Sequence, residues 1–223
     1  MKKAIFFDMN ETLLNLSLLK QQFNKHFDDK YVLKYWFTNL LYSSSIMGIM
    51  NEYKNFGELA EVALENLFFE NNKPLSEKIK NEILGEFRKL PAYEDVPPAL
   101  ILLREKNIRV VAVSNSSLAM IKEQLSNAGI IDLFDSYYSV DNVKKYKPFK
   151  DIYQSAAKHE GLRPEDIVMI ATHDWDLFGA KKAGFSTAYI KRKEVIYHPF
   201  YLQPDFKDSN LLNLIQQIID IEN

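Results

Sequence analysis

The opening "MKKAIFFDMNETLL" drives a short apolar run into a carboxylate, Asp8, and places a hydroxyl, Thr12, four residues later. Further along, "VSNSS" puts Ser114 and Asn115 at the end of a second apolar run. "KYKPFKDIY" offers Lys147, and "ATHDWD" closes a third run with Thr172, His173 and Asp176. This set suits nucleophilic catalysis by a carboxylate: an aspartate attacks an electrophilic centre, forms an ester, and water cleaves the ester. A carboxylate is a weak nucleophile in bulk water and needs partial desolvation and a fixed orientation. Lys147 would keep Asp8 ionised by opposite charge, and Thr12 and Ser114 would aim it through hydrogen bonds. Each residue also has a plainer reading. Asp8 and Asp176 suit helix caps, Ser114 and Asn115 suit turns, Lys147 suits solvent, and Phe56, Tyr153 and Trp175 suit packing.

The elements that would position these groups follow from hydrophobic periodicity. "KKAIFFD", "IRVVAVS", "SYYSV", "DIVMIAT" and "STAYI" are short apolar runs of the kind buried in a parallel sheet. Between the last four run the helical patterns "LAMIKEQLSNAGI", "FKDIYQSAAKHEGL" and "LFGAKKAGF", and "NLLNLIQQIID" closes the chain. That alternation signals an α/β fold with a parallel sheet. From residue 16 to 90 the pattern is helical throughout. "NFGELAEVALENLFFE" aligns Phe56, Leu59, Ala60, Ala63, Leu64 and Leu67 on one side, and "LSEKIKNEILGEFRKL" carries Ser76 as its cap and Pro91 as its stop. "NLSLLKQQFNKHF" and "DDKYVLKYWFTNLLYSSSIMG" read as two more helices. "LPAYEDVPPAL", with three prolines, reads as a linker. The expected domains are an α/β core of residues 1–15 and 91–223 and a helical cap of 16–90. A block inserted after the first strand lies over that strand's carboxyl end, where open α/β sheets bind ligands.

The totals exclude several classes. With 223 residues, 47% hydrophobic and 26% charged, the chain can bury a core of its own. A net charge of -2 gives no overall pull towards nucleic acid or anionic membrane. The absence of cysteine rules out disulfides, thiolate zinc sites and cysteine nucleophiles. No apolar stretch is long enough for a membrane span, and the short run before Asp8 is not a signal peptide. A cytoplasmic protein acting on a small molecule is expected, with no nucleic-acid or membrane partner. The aromatic-rich helical block could also present a homodimer face.

On these residues the chain resembles the haloacid dehalogenase superfamily, nearest its L-2-haloacid dehalogenase-like (type II) branch. "FFDMNETLL", "VSNSS", "KYKPFKDIY" and "THDWDLFGAKKAG" match the four family motifs in order. The resemblance implies a Rossmann-like core with a helical cap, and hydrolysis through an aspartyl ester. Asp8 would be the nucleophile, Thr12, Ser114, Asn115 and Lys147 would orient and polarise it, and Asp176 with His173 would position the water. Asn10, Phe37, Phe56, Tyr153 and Trp175 would form the substrate pocket.

The departures narrow the reading further. Phosphatases of the superfamily carry a second aspartate two residues after the nucleophile; here it is Asn10, which cannot act as a general acid. They also place an acid earlier in the fourth motif as a Mg²⁺ ligand, where this chain has Ala171 and Thr172. Asp8, Asn10 and Asp176 remain as the ligand set for the alternative of a Mg²⁺-dependent small-molecule phosphatase. A halide leaving group needs neither acid nor metal, so no cofactor is expected. The cap arginine of the dehalogenase branch, aligned on Trp36, falls at Phe37, and the asparagine near its fourth motif is His173. The nucleophile machinery is kept while the substrate-reading groups are changed. That leaves room for a second alternative, a non-catalytic descendant that binds a ligand or partner. The lysines 181 and 182 and the run "KRKE" from Lys191 read as solvated surface.

Overall fold

The computed structural model describes residues 2–220, so the outermost positions of the expected core, 1 and 221–223, lie outside the described residues. Six parallel strands form one sheet in the order β3-β2-β1-β4-β5-β6. They are β1 (Ala4–Phe7), β2 (Arg109–Ser114), β3 (Ser136–Ser139), β4 (Ile167–Ala171), β5 (Ser186–Ile190) and β6 (Phe206–Asp208). β1 lies between β2 and β4, paired in register with both, and all four of its residues are buried. That explains its unbroken apolar run, since a strand covered on both faces has no polar side to show. The strand order reverses about β1, and such a switch point is where a sheet of this kind opens a crevice at its carboxyl edge.

Four helices lie between β1 and the next core element: α1 (Ser17–Asn24), α2 (Val32–Ile49), α3 (Phe56–Glu70) and α4 (Glu77–Glu86). Asn55 and Glu58 close a capping box at the start of α3, and Ser76 caps α4. The many aromatics pack here. Trp36 is fully buried, donates its indole N–H to the Ala60 carbonyl at 3.1 Å, and meets the Phe23 ring at 5.4 Å. α4 ends at Glu86, well before Pro91.

The core helices are α5 (Val96–Glu105), α6 (Leu118–Asn127), α7 (Lys150–His159), α8 (Asp174–Lys182) and α9 (Leu211–Asp220). Two elements went unread in the sequence. α5 begins inside the stretch taken for a linker, because Pro97 and Pro98 stand in its first turn, where a missing N–H leaves no bond unmade. β6 is a three-residue edge strand, too short to show periodicity. α8 also starts earlier than "LFGAKKAGF", which puts Asp174, Trp175 and Asp176 in its first turn.

The run "KRKE" is not simply solvated. The Arg192 side chain is 5% exposed; it donates through Nη1 to Asp95 at 2.7 Å and through Nε to the Thr12 carbonyl at 3.0 Å. It ties the segment after β5 to the turn after β1. No helix among the described residues is long and apolar enough to cross a membrane.

Candidate active site

The backbone after β1 fixes Asp8 first. Its N–H donates to the Ile170 carbonyl at 3.0 Å, extending the β1–β4 pairing to the sheet's edge. The chain then turns back on itself, with the N–H groups of Thr12, Leu13 and Leu14 all reaching the Met9 carbonyl. Thr12 Oγ1 accepts the Thr172 N–H at 3.0 Å and lies 2.7 Å from Asp8 Oδ2. With that lone pair occupied, the hydroxyl proton points at the carboxylate.

Lys147 reaches the same point from the loop before α7. Its Nζ lies 3.1 Å from Asp8 Oδ1 and 2.8 Å from Asp176 Oδ2, and its side chain is 1% exposed. Asn115 Oδ1 accepts the Lys147 main-chain N–H at 2.9 Å, so Asn115 holds the lysine's backbone. Ser114 Oγ accepts the Ser116 N–H at 3.1 Å. Tyr153 is fully buried, and its hydroxyl bonds the Asp176 carboxylate. It stands behind Asp176 and is absent from the pocket wall where the sequence reading put it. Asp176 is likewise shielded, with no exposed surface.

His173, at the start of α8, bridges two carboxylates. Its Nδ1 is 3.1 Å from Asp8 Oδ2 and its Nε2 is 3.0 Å from Glu11 Oε2. The Trp175 ring stacks on it at 5.1 Å, and the Phe37 ring lies 6.1 Å away. Lys193 bonds the other oxygen of Glu11.

These contacts set the charges. Burial alone would push the Asp8 carboxyl up, but the Lys147 ammonium and the His173 ring overcome it and hold Asp8 well below the usual carboxylate range. Burial works against the Lys147 charge too, and Asp176 and Asp8 reverse that and raise it. Burial pushes Asp176 up, and the second carboxylate of Asp8 adds to this against the pull of Lys147. Burial disfavours the His173 cation, yet its bonds to Asp8 and Glu11 push it up to about 9. At neutral pH the Asp8 carboxylate is therefore ionised and lies between an ammonium and an imidazolium.

The space directly over Asp8 is about 20 Å³, walled by Asn10, Phe37, Leu41, Phe56, Ser114, Asn115, Lys147, His173 and Trp175. A cleft of about 600 Å³ adjoins it between the helical insertion and the core, sharing Phe37, Leu41, His173 and Trp175 and carrying Lys20, Lys30, Lys34 and Lys193 on its sides. The Mg²⁺ ligand set of the phosphatase alternative is Asp8, the Asn10 main-chain carbonyl and Asp176. Lys147, Thr12, His173 and Tyr153 already donate to both oxygens of Asp8 and of Asp176, which sets cations and donors where the metal would be held.

Leu41, Glu11 and Lys193 were missed in the sequence. Leu41 follows Phe37 by four residues on α2 and is legible as the same helix face. Glu11 stands inside the first motif, but nothing local shows that it meets a histidine far along the chain.

Comparison with known proteins agrees with this geometry. The model of the haloacid dehalogenase-like hydrolases matches residues 2–184. The (S)-2-haloacid dehalogenase of Pseudomonas sp. (strain YL) is 26% identical, covering 96% of this chain and 93% of the relative. Haloacetate dehalogenase H-2 of Moraxella sp. (strain B) is 27% identical, covering 92% and 94%. The structure of L-2-haloacid dehalogenase from Xanthobacter autotrophicus with chloropropionic acid covalently bound superposes with a TM-score of 0.91, at 22% identity over 98% of this chain and 99% of that one. The chain belongs to the haloacid dehalogenase-like hydrolases, in their L-2-haloacid dehalogenase-like branch.

Proposed function

We propose that this hydrolase is a 2-haloacid dehalogenase that works through an ester on Asp8, without a metal. The Asp8 carboxylate attacks C2 of a short 2-haloacid from the side opposite the halogen. The C–O bond forms as the halide leaves with the bonding pair, and C2 inverts. Water then attacks Asp8 Cγ, releases the 2-hydroxy acid and restores the carboxylate. Lys147 and Thr12 hold the nucleophile, and Ser114 and His173 face the substrate. Asp176 acts through Lys147, since it has no surface in the cavity. The observation that carries the reading is the state of Asp8: 7% exposed, ionised, and held at both oxygens. Partial desolvation makes such a carboxylate a competent nucleophile.

The insertion acts as a cap in this reading. About 20 Å³ over Asp8 has room for a water or two but for no haloacid, so the cap must open to admit substrate. A homodimer is part of the proposal, supported by the exposed row Tyr35, Tyr42, Ile46 and Ile49 along α2, and light scattering checks it. A cytoplasmic location goes with the cysteine-free composition.

The test is halide release from short 2-chloro and 2-bromo acids, with and without Mg²⁺, beside an aryl phosphate control. A single turnover in heavy-oxygen water should place the label in Asp8 and not in the product. Metal-dependent phosphate release with no halide, or full turnover by Asp8→Asn, would overturn the proposal.

A further inference from the structure

The cleft beside Asp8 is far larger than a short 2-haloacid needs. A volume of about 600 Å³ is one that houses a drug-sized ligand. The cleft joins the cavity over Asp8 through Phe37, Leu41, His173 and Trp175, so what fills it can be bonded to the carbon that reacts. On its other sides the cavity is shut. Next to the loop before α7 the cap is fastened to the core. There the Tyr146 hydroxyl donates to the Lys54 carbonyl at 2.5 Å and accepts the Lys54 N–H at 3.0 Å, and the Tyr53 hydroxyl bonds Asp141. The two tyrosine rings stack at 5.1 Å. Towards α6 a second cleft, of about 430 Å³, shares only Phe56 with the cavity, and Phe56 is buried. A chain on C2 therefore leaves between Phe37 and Trp175.

Beyond that throat the walls are apolar. Leu41, Phe37 and Leu33 follow one another at four-residue spacing on one face of α2. Each step advances about 6 Å along the helix axis. Leu41 and Phe37 wall the cavity, Leu33 walls only the cleft, and Tyr189 and Val195 form the core side. The outer end of the stripe is cationic. Lys34 stands beside Leu33 on α2, Lys30 just before the helix, and Lys20 on α1, and all three are exposed. Lys20 and Lys34 have no carboxylate partner among the described residues, and Lys30 lies over the Tyr31 ring at 4.9 Å. The acids of the cleft are engaged elsewhere: Glu11 by His173 and Lys193, and Asp174 by the main-chain N–H groups of Trp175 and His198. In a chain of net charge -2, this gathers positive charge at one mouth. A short 2-haloacid has its one carboxylate beside Asp8 and leaves these lysines unmet.

We propose that the substrate is a long 2-haloacid, with an apolar chain on C2 that runs along Leu33, Tyr189 and Val195 and ends in a second carboxylate held by Lys20, Lys30 and Lys34. This rests on the dehalogenase reading and names the substrate class of the same site. Bonds change at C2 alone: the C–O bond to Asp8 forms as the halide leaves with the bonding pair, and water then cleaves the ester. The chain and its far carboxylate keep all their atoms, so the product is the matching 2-hydroxy diacid.

Bromide release from 2-bromopropionate, 2-bromooctanoate and 2-bromooctanedioate tests this. Full burial of a methylene is worth about fourfold in kcat/KM, and on a wall open to solvent about twofold. The five carbons added in the octanoate should therefore raise kcat/KM about 30-fold over the propionate. The octanedioate should exceed the octanoate by about fivefold at low salt, and lose that excess at about 0.5 M salt. The triple variant Lys20→Ala, Lys30→Ala, Lys34→Ala changes only exposed positions and should remove the excess at low salt. Val195→Asp, at a position 52% exposed, should flatten the rise with chain length. Equal kcat/KM for the propionate and the octanoate overturns the long substrate. So does an octanedioate no better than the octanoate, or an excess that survives in the triple variant. In each of these cases bromide is still released, and the dehalogenase reading stands. No bromide from any of the three acids overturns both.

Discussion

Placing an arginine at position 37 gives a quantitative test of how the site is charged. The Phe37 and His173 rings are 6.1 Å apart. A guanidinium in the place of the Phe37 ring would repel the imidazolium by about 2.7 kcal/mol at that 6.1 Å separation with an effective dielectric of about 20. At about 1.4 kcal/mol per pKa unit this lowers His173 by about two units. A group held at about 9 in the wild type would therefore titrate near 7 in Phe37→Arg. The assay is an NMR pH titration of the histidine ring protons. The chain has four histidines, so a His173→Asn spectrum identifies the resonance. Activity should follow the charge. Below pH 6 the variant carries both cations, and its KM for an anionic 2-chloro acid should fall below wild type; above pH 8 the imidazole is neutral and that advantage should vanish. A His173 midpoint that stays near 9, in a variant whose crystal structure keeps the guanidinium against the imidazole, would refute the reasoning.

Three more outcomes are expected. A Cβ on Gly179 would lie 2.4 Å from the Pro148 carbonyl oxygen and 2.7 Å from Pro148 Cβ, so Gly179→Ala must push α8 away from the Lys147–Pro148 segment. Overpacking of this kind costs about 1–3 kcal/mol, and thermal denaturation should show it together with reduced kcat as Lys147 and Asp176 part. Lys147→Met keeps the volume but leaves two buried carboxylates without their cation, which should destabilise by about 3–5 kcal/mol. One of those carboxyls must then take up a proton, so urea denaturation should find the variant more stable at pH 5 than at pH 7.5. In the wild type the sign above neutrality comes from His173. Its folded value is raised, so its stabilisation is complete below about 6.5 and lost as pH rises through about 9, a loss on the order of 3 kcal/mol. Calorimetry at pH 6.5 and 9.5 should show it, and His173→Asn should flatten it. Asp8 and Glu11 are lowered, so their stabilisation is lost only on acidification.

What was legible in the sequence follows physical range. The apolar runs of β1, β2 and β4 and the helical faces of α2 and α3 are local patterns that burial writes into residue type. Asp8, Ser114 and His173 could be read because each ends a strand, and the parallel topology gathers strand ends at one edge. α5 was lost because proline counts as a helix breaker only beyond the first turn. Arg192 reads as solvated surface because a charged residue is buried only when a partner waits for it; Lys193 is half-exposed, as read, yet bonds Glu11. Their partners, Asp95, the Thr12 carbonyl and Glu11, are 97, 180 and 182 residues away. Tyr153 meets the Asp176 carboxylate instead of the cavity expected for it, since periodicity says which helix face a residue shares and not whether another side chain stands in front.

The exchange of arginine for Phe37 and of asparagine for His173 is best understood as one change. The resemblance implies a cation on the cap and a neutral amide on the core; on that reading this chain reverses the pair. A cation on the cap meets the substrate's anionic groups only after closure. His173 stands at the edge of the sheet, held by Asp8 and Glu11, and is cationic whatever the cap does. Anion capture would then rest on His173 of the core together with the cleft lysines, of which Lys20, Lys30 and Lys34 belong to the insertion. Directly over Asp8 the insertion contributes Phe37, Leu41 and Phe56, an apolar wall. That wall strips water from Asp8 and strengthens every charge interaction beneath it. Substrate affinity should accordingly depend on His173, and the rate of ester formation on the size and fit of residue 37.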